Sequence, residues 1–86
     1  MAVALPRRAL HDLRRLSPED RTQTLAGLHR IERGDPSLDV HPLRGHPQWL
    51  ECRVGELRVL YQRRGDDWWV EWIVHRQALM TAVRTL

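Results

Sequence analysis

The stretch that decides the fold runs from Trp49 to Arg76 and reads WLECRVGELRVLYQRRGDDWWVEWIVHR. Apolar and charged residues alternate along it, which is the period of a half-buried β-strand. Two glycines beside acidic residues interrupt the alternation, one at Gly55-Glu56 and one within RGDD at residues 64–67, and both predict turns. We therefore expect three antiparallel strands in this half of the chain.

The strand registers follow from the turns. If Gly55-Glu56 is a two-residue hairpin turn, Val54 faces Leu57 and Arg53 faces Arg58. The core face of this hairpin is then apolar and consists of Leu50, Cys52, Val54, Leu57, Val59 and Tyr61. The second face carries Trp49, Glu51, Arg53, Arg58 and Leu60.

The same reasoning extends through the RGDD turn to the last strand. It pairs Tyr61 with Val70, Val59 with Trp72, and Leu57 with Val74. Both turns then assign apolar residues to the same side of the sheet, which a wrong register would rarely do. Trp72 is thereby predicted in the core, and the second face receives Trp69, Glu71, Ile73 and His75.

The first half of the chain predicts a pair of helices. Ala9, Leu13 and Leu16 recur at helical spacing within an arginine-rich segment. A second helix is predicted to begin at Ser17, an N-cap residue that is followed by proline and two acidic residues, and to end at Gly34.

The remaining segments complete the expected architecture. Leu25, Leu28 and Ile31 form the predicted apolar stripe of the second helix, residues 2–5 suggest a short strand, and the prolines of residues 36–48 predict a loop. The expected fold is α+β, one domain spanning residues 1–86. Its N-terminal antiparallel helical hairpin packs on one face of a small, mostly antiparallel β-sheet.

Composition narrows the class of protein. The chain has 86 residues, no run of about 18 apolar residues that would suggest a membrane span, and one cysteine, Cys52, which fits a cytoplasmic protein. All 14 basic residues are arginine and the formal net charge is +3, which points toward an anionic partner. The sequence contains no phosphate-binding loop, zinc-ligand or serine-triad pattern, so we expect no cofactor and no metal.

Three segments together resemble a known family. HPLRG at residues 41–45, RVGELRVLYQ at residues 53–62 and IVHR at residues 73–76 follow a helical hairpin in the order typical of the RelE/ParE superfamily of bacterial toxins. The resemblance runs from about Pro6 to the C-terminus. It implies a toxin that a cognate antitoxin protein neutralises. The RelE branch cleaves mRNA on the ribosome, and the ParE branch inhibits DNA gyrase without cutting RNA.

The resemblance to the RelE branch implies roles for several arginines. Arg58 matches an arginine that stabilises charge on the scissile phosphate, and Arg76 matches a second arginine near the reaction centre. Fixed guanidinium groups suit this task because attack by a 2′-hydroxyl builds negative charge at phosphorus. Arg53 and Arg44 would be further contacts to RNA.

Proton transfer and base stacking have several candidates, each with a structural alternative. The resemblance to histidine-using relatives within the superfamily implies His41 and His75 as acid–base groups, and Glu51, on the face of Arg53 and Arg58, is a further candidate. His41 could instead hydrogen-bond within its loop, and Glu51 could pair with Arg53. Trp49 and Trp69 could stack on bases or form the apolar floor for an antitoxin helix.

The sequence also departs from the RelE pattern. RelE has lysines on the strand that corresponds to residues 49–53, where this chain has Trp49 and Glu51, and a tyrosine after the last arginine, where QALMTAV has none. We expect a ribosome-dependent mRNA endoribonuclease (mRNA interferase) that inhibits translation. The alternatives are a gyrase-inhibiting toxin of the ParE kind and a degenerate member that binds antitoxin without nuclease activity.

Overall fold

The computed structural model describes all residues from Met1 to Leu86 and has the expected α+β composition. Its elements are β1 (Ala2–Ala4), α1 (Arg7–Arg15), α2 (Pro18–Arg33), β2 (Val40–Leu43), β3 (His46–Val54), β4 (Leu57–Arg64), β5 (Asp67–His75), a 3₁₀ turn (Arg76–Ala78) and α3 (Leu79–Val83). The five strands form one sheet in the order β1-β5-β4-β3-β2. β1 runs parallel to β5, and every other neighbouring pair is antiparallel. No helix is both long and apolar enough to span a membrane.

The two N-terminal helices have well-defined ends. The hydroxyl oxygen of Ser17 accepts a hydrogen bond from the backbone N–H of Asp20 at 3.2 Å, and Gly34 ends α2 with φ +64°. The guanidinium group of Arg21 donates to the carbonyl oxygens of Leu13, Arg14 and Leu16. A side chain of α2 therefore satisfies the free carbonyls at the end of α1 and fixes the hairpin between the helices.

The first hairpin has the predicted register throughout, from Leu50 opposite Tyr61 to Val54 opposite Leu57. The second hairpin does not. Tyr61 pairs with Val70 as predicted, but Leu60 pairs with Trp72, which leaves Glu71 as the extra residue of a β-bulge. Beyond the bulge the predicted pairing is wrong by one residue, and Leu57 lies opposite His75.

The bulge reverses which residues of β5 face the helices. Ile73, predicted on the second face, is buried between the sheet and the helices, and Trp72, predicted in that core, lies on the second face. His75 also moves to the helix side. A single unpaired residue produces all three changes because side chains alternate strictly along a strand.

Two further expectations are wrong. Residues 36–48 are not a continuous loop, because they include β2 and the start of β3; Pro42 is tolerated since β2 is an edge strand with an irregularity beside it. Leu25 is not a core residue of α2, since it is 39% exposed, whereas Thr24 and Leu28 are buried.

The sheet separates two apolar cores. The first core, between the sheet and α1 and α2, contains Ala9, Leu13, Leu28, Ile31, Cys52, Val59, Tyr61, Val70 and Ile73. The second core lies on the opposite face and contains Leu43, Trp49, Leu60 and Ala82. Ala82 belongs to α3, so the C-terminal helix, which the sequence patterns did not predict, covers part of the second face.

Candidate functional site

Polar residues of the second face lie together on β2, β3 and β4. Cross-strand pairing sets its composition, since His41 lies opposite Glu51 and Arg53 lies opposite Arg58. Residues directly opposite each other on antiparallel strands project from the same face. The structure therefore brings four of the predicted site residues onto one surface.

Glu51 resolves the repulsion between the two opposed arginines. Its Oε2 atom lies 3.4 Å from Nε of Arg53 and 3.2 Å from Nε of Arg58. The Glu51 side chain is only 9% exposed, so its charge is balanced in a region where water screens little. The sequence-based alternative for Glu51, an ion pair with Arg53, is present in the structure and includes Arg58 as well.

Arg58 is held in a fixed orientation. Its Nη1 atom donates to the carbonyl oxygens of Gly55 and Leu57, both at 2.9 Å. Its Nη2 atom donates to no protein acceptor. The Arg58 side chain as a whole is 13% exposed. The guanidinium group is anchored on one side and retains free donors on the other.

Arg76 lies at the turn between β3 and β4. Its Nε atom is 2.7 Å from Oε2 of Glu56, and its backbone N–H donates to the carbonyl oxygen of Glu56 at 2.9 Å. Both charged side chains are mostly exposed, so this ion pair opens readily in water. The turn that connects Arg53 to Arg58 thus also holds Arg76.

The two candidate histidines lie on opposite faces of the sheet. His41 is exposed on β2, and its Nε2 atom lies 2.6 Å from Oδ1 of Asp39, a carboxylate that can orient the ring. His75 lies on the helix side, where its Nε2 atom is 3.8 Å from Oδ2 of Asp20. The prediction that His75 shares the arginine face is therefore wrong, and the bulge at Glu71 is the reason.

The candidate RNA-stacking residues have different surroundings. Trp49 is 7% exposed within the second core, so its ring is unavailable to a base. Trp69 is half-buried; its Nε1 donates to Glu71 at 2.9 Å, and the guanidinium carbon of Arg64 lies 4.2 Å from its ring centre. Arg44 is exposed in the turn between β2 and β3 and forms no ion pair.

A cavity of about 470 Å³ lies on the helix side between the α1–α2 turn and β5. Asp12 lines it and accepts a hydrogen bond from the backbone N–H of Ile73 at 3.1 Å, on the part of β5 that β1 does not cover. Burial raises the pKa of Asp12 above its ordinary value, although the hydrogen bond from Ile73 opposes the shift. No group of three or more His, Cys, Asp or Glu side chains is arranged to hold a metal ion.

Comparisons with known proteins give a structural match. The fold is similar to a chain of the RelB–RelE antitoxin–toxin complex from Methanococcus jannaschii, with a TM-score of 0.69 over 84% of this chain and 88% of that chain. The identity is 17%. This likeness shows the fold. No protein-family model matches the sequence, and no curated protein matches it.

Two residues of the site were missed at the sequence level. Asp39 pairs with His41, and the two-residue spacing would have placed both on one face if residues 40–43 had been read as a strand. Glu56 pairs with Arg76, and no local pattern indicates this contact because twenty residues separate the partners.

Proposed function

We propose that this protein is the toxin of a toxin–antitoxin pair and that it cleaves mRNA on the ribosome. The observation that carries the proposal is the anchored guanidinium group of Arg58, which lies opposite Arg53 and whose Nη2 atom forms no hydrogen bond within the protein. The likeness of the fold to a chain of an antitoxin–toxin complex supports the toxin class and a cognate antitoxin as partner. Such a toxin would act in the cytoplasm, as a single domain of residues 1–86.

The proposed reaction is attack of an RNA 2′-oxygen on the adjacent phosphorus. A bond forms between the 2′-oxygen and phosphorus, and the bond from phosphorus to the 5′-oxygen breaks, leaving a cyclic phosphate and a 5′-hydroxyl. Arg58 stabilises the charge that accumulates on the phosphate oxygens, since it needs no reorientation during the reaction. Arg76, once released from Glu56, supplies a second guanidinium, and Arg44 and Arg53 contact neighbouring phosphates.

His41 is the proposed acid–base group. It lies opposite Glu51 on the neighbouring strand, on the face that carries Arg53 and Arg58, and Asp39 orients its ring. An imidazole held by a carboxylate can accept the proton of the 2′-hydroxyl and return a proton to the leaving 5′-oxygen. His75 has no role in this proposal because it lies on the helix side.

One observation favours a second candidate, a toxin that inhibits DNA gyrase without cutting RNA. The aromatic rings of the second face are occupied, because Trp49 is buried, Trp69 is covered by Arg64 and Trp72 is covered by Arg8. A nuclease that stacks a base would lack a free ring here. A toxin that binds a protein target needs none.

The test is cleavage of a reporter mRNA during translation in vitro, mapped by primer extension with a translation-free control. We expect cuts in the ribosomal A site in the translated sample alone. Arg58→Ala should lower the cleavage rate about 10²–10³-fold, as loss of a fixed donor to a developing oxyanion does. Arg14→Ala removes the same charge from an exposed position on α1 and should leave the rate unchanged.

Two histidine variants test the proposed acid–base group in the same assay. His41→Gln should lower the cleavage rate by about 10²-fold or more, the usual effect of losing a general acid–base group. His75→Gln should not change it. Intact mRNA in the presence of folded wild-type protein would contradict the proposed nuclease activity. An assay of DNA supercoiling by gyrase would then test the second candidate function.

A further inference from the structure

A carboxylate occupies the position between the two opposed arginines of the second face. Nε of Arg53 and Nε of Arg58 approach the same oxygen, Oε2 of Glu51, at 3.4 and 3.2 Å. One oxygen shared by two guanidinium groups is also the arrangement in which paired arginines bind a phosphate oxygen. We propose that Glu51 occupies the phosphate-binding position of Arg53 and Arg58 in the free protein, and that a phosphate of the RNA displaces it.

The strand pairing explains why this position holds an anion. Arg53 and Arg58 are directly opposite on β3 and β4, and like charges in that arrangement repel each other. Glu51 removes the repulsion while the site is empty. A phosphodiester carries the same single negative charge, so it can replace Glu51, but two anions cannot share the guanidinium pair without repelling each other.

The Glu51 side chain can turn away from the arginines when a phosphate binds. Its cross-strand neighbour on β2 is His41, so the carboxylate can turn from the arginines toward the imidazole. Glu51 is thus an internal competitor of the substrate rather than a proton acceptor in the reaction. This inference rests on the proposed function, because it assigns the displaced position to a phosphate of the RNA.

The two roles of Glu51 predict opposite results for one substitution. If Glu51 were the general base, Glu51→Gln would lower the cleavage rate and leave phosphate affinity unchanged. If Glu51 is the competitor, Glu51→Gln removes the charge that opposes the ligand while preserving the size of the side chain. Phosphate affinity then rises.

The experiment is a titration with inorganic phosphate, followed by NMR of the arginine Nε–Hε groups. We expect the Arg53 and Arg58 signals to shift, and we expect Glu51→Gln to bind phosphate about tenfold more tightly than wild type, the size of effect for one nearby charge. Glu19→Gln is the matched control, since it removes one charge in the first turn of α2, where Glu19 forms no ion pair. An affinity of Glu51→Gln equal to or below that of wild type would overturn the inference.

A second measurement needs no variant, in case Glu51→Gln does not fold. The side-chain carboxyl carbon of Glu51 in wild-type protein should shift as phosphate is added, in parallel with the arginine signals. Arginine signals that move while the Glu51 carbon stays constant would contradict displacement, as would the absence of phosphate binding. The translation assay decides the proposed function separately, since mRNA cleavage without phosphate displacement of Glu51 would leave that function in place and reject this inference alone.

Discussion

Asp12 is expected to stabilise the protein as a hydrogen-bond acceptor and not as a charge. Its Oδ2 atom accepts from the N–H of Ile73 at 3.1 Å, and Ile73 is 2% exposed on an edge of β5 that no strand covers. A buried N–H that loses its partner costs about 1–3 kcal/mol. Asp12→Ala should therefore lower the free energy of unfolding by roughly 1–2 kcal/mol, since the adjoining cavity admits some water.

Asp12→Asn should behave differently because its amide oxygen can still accept the hydrogen bond. Burial raises the pKa of Asp12 above 3.8, so the folded state binds its proton more tightly than the unfolded state does. That contribution to stability is fully present below pH 3.8 and is lost as the pH rises through the pKa of the folded state. At pH 7 Asp12→Asn should therefore be at least as stable as wild type, and the difference should shrink toward pH 3.

The assay is unfolding by urea, monitored by tryptophan fluorescence, with thermal unfolding as a second measurement. A loss of 1 kcal/mol corresponds to a fall of about 4–8 °C in the midpoint for a domain of this size. If Asp12→Asn is as unstable as Asp12→Ala at pH 7, the carboxylate acts through its charge and this reasoning is wrong. Equal stability of all three proteins would mean that the N–H of Ile73 needs no acceptor.

Three further predictions concern the cores. Trp49→Ala should lower the free energy of unfolding by about 3–5 kcal/mol, because the ring fills the second core; a loss below 1 kcal/mol in urea unfolding would refute that placement. Leu28→Ala should cost about 2–5 kcal/mol and Leu25→Ala less than about 0.5 kcal/mol, and similar losses in thermal unfolding would contradict the orientation of α2. Cys52 is 0% exposed, so its alkylation by iodoacetamide at pH 8 should be as slow as global unfolding, and burial, which raises its pKa to about 11, slows the reaction further; rapid alkylation of folded protein would show an accessible thiol.

The predictable part of the fold follows local turn chemistry. Gly55 adopts φ +57°, which a two-residue hairpin turn requires, and the register of the whole first hairpin follows from that one turn. The bulge at Glu71 has no such marker, since nothing about a glutamate in an alternating strand indicates an unpaired residue. Every error in the placement of Trp72, Ile73 and His75 comes from it.

The other features that the sequence did not predict have different physical causes. β2 is concealed by Pro42, which an edge strand accepts, and α3 has only five residues, too few for a helical period to appear. The contact of Arg53 and Arg58 with Glu51 was accessible from the register. The contact of Arg76 with Glu56 was not, because it depends on where the end of β5 meets a turn.

The ion pairs between arginines and carboxylates limit how strongly salt concentration would affect the proposed binding of RNA. Six of the 14 arginines form ion pairs within the chain: Arg8, Arg30, Arg33, Arg53, Arg58 and Arg76. When a guanidinium group exchanges an internal carboxylate for a phosphate, the freed carboxylate attracts a cation from solution. This cation uptake offsets part of the entropy gained when the nucleic acid releases its own bound cations. If the proposed function holds, the logarithm of RNA affinity should therefore fall less steeply with the logarithm of salt concentration than the slope of about −0.7 per contacted phosphate that is usual for single strands. RNA binding by the proposed toxin would then depend less on salt concentration than its number of phosphate contacts alone suggests.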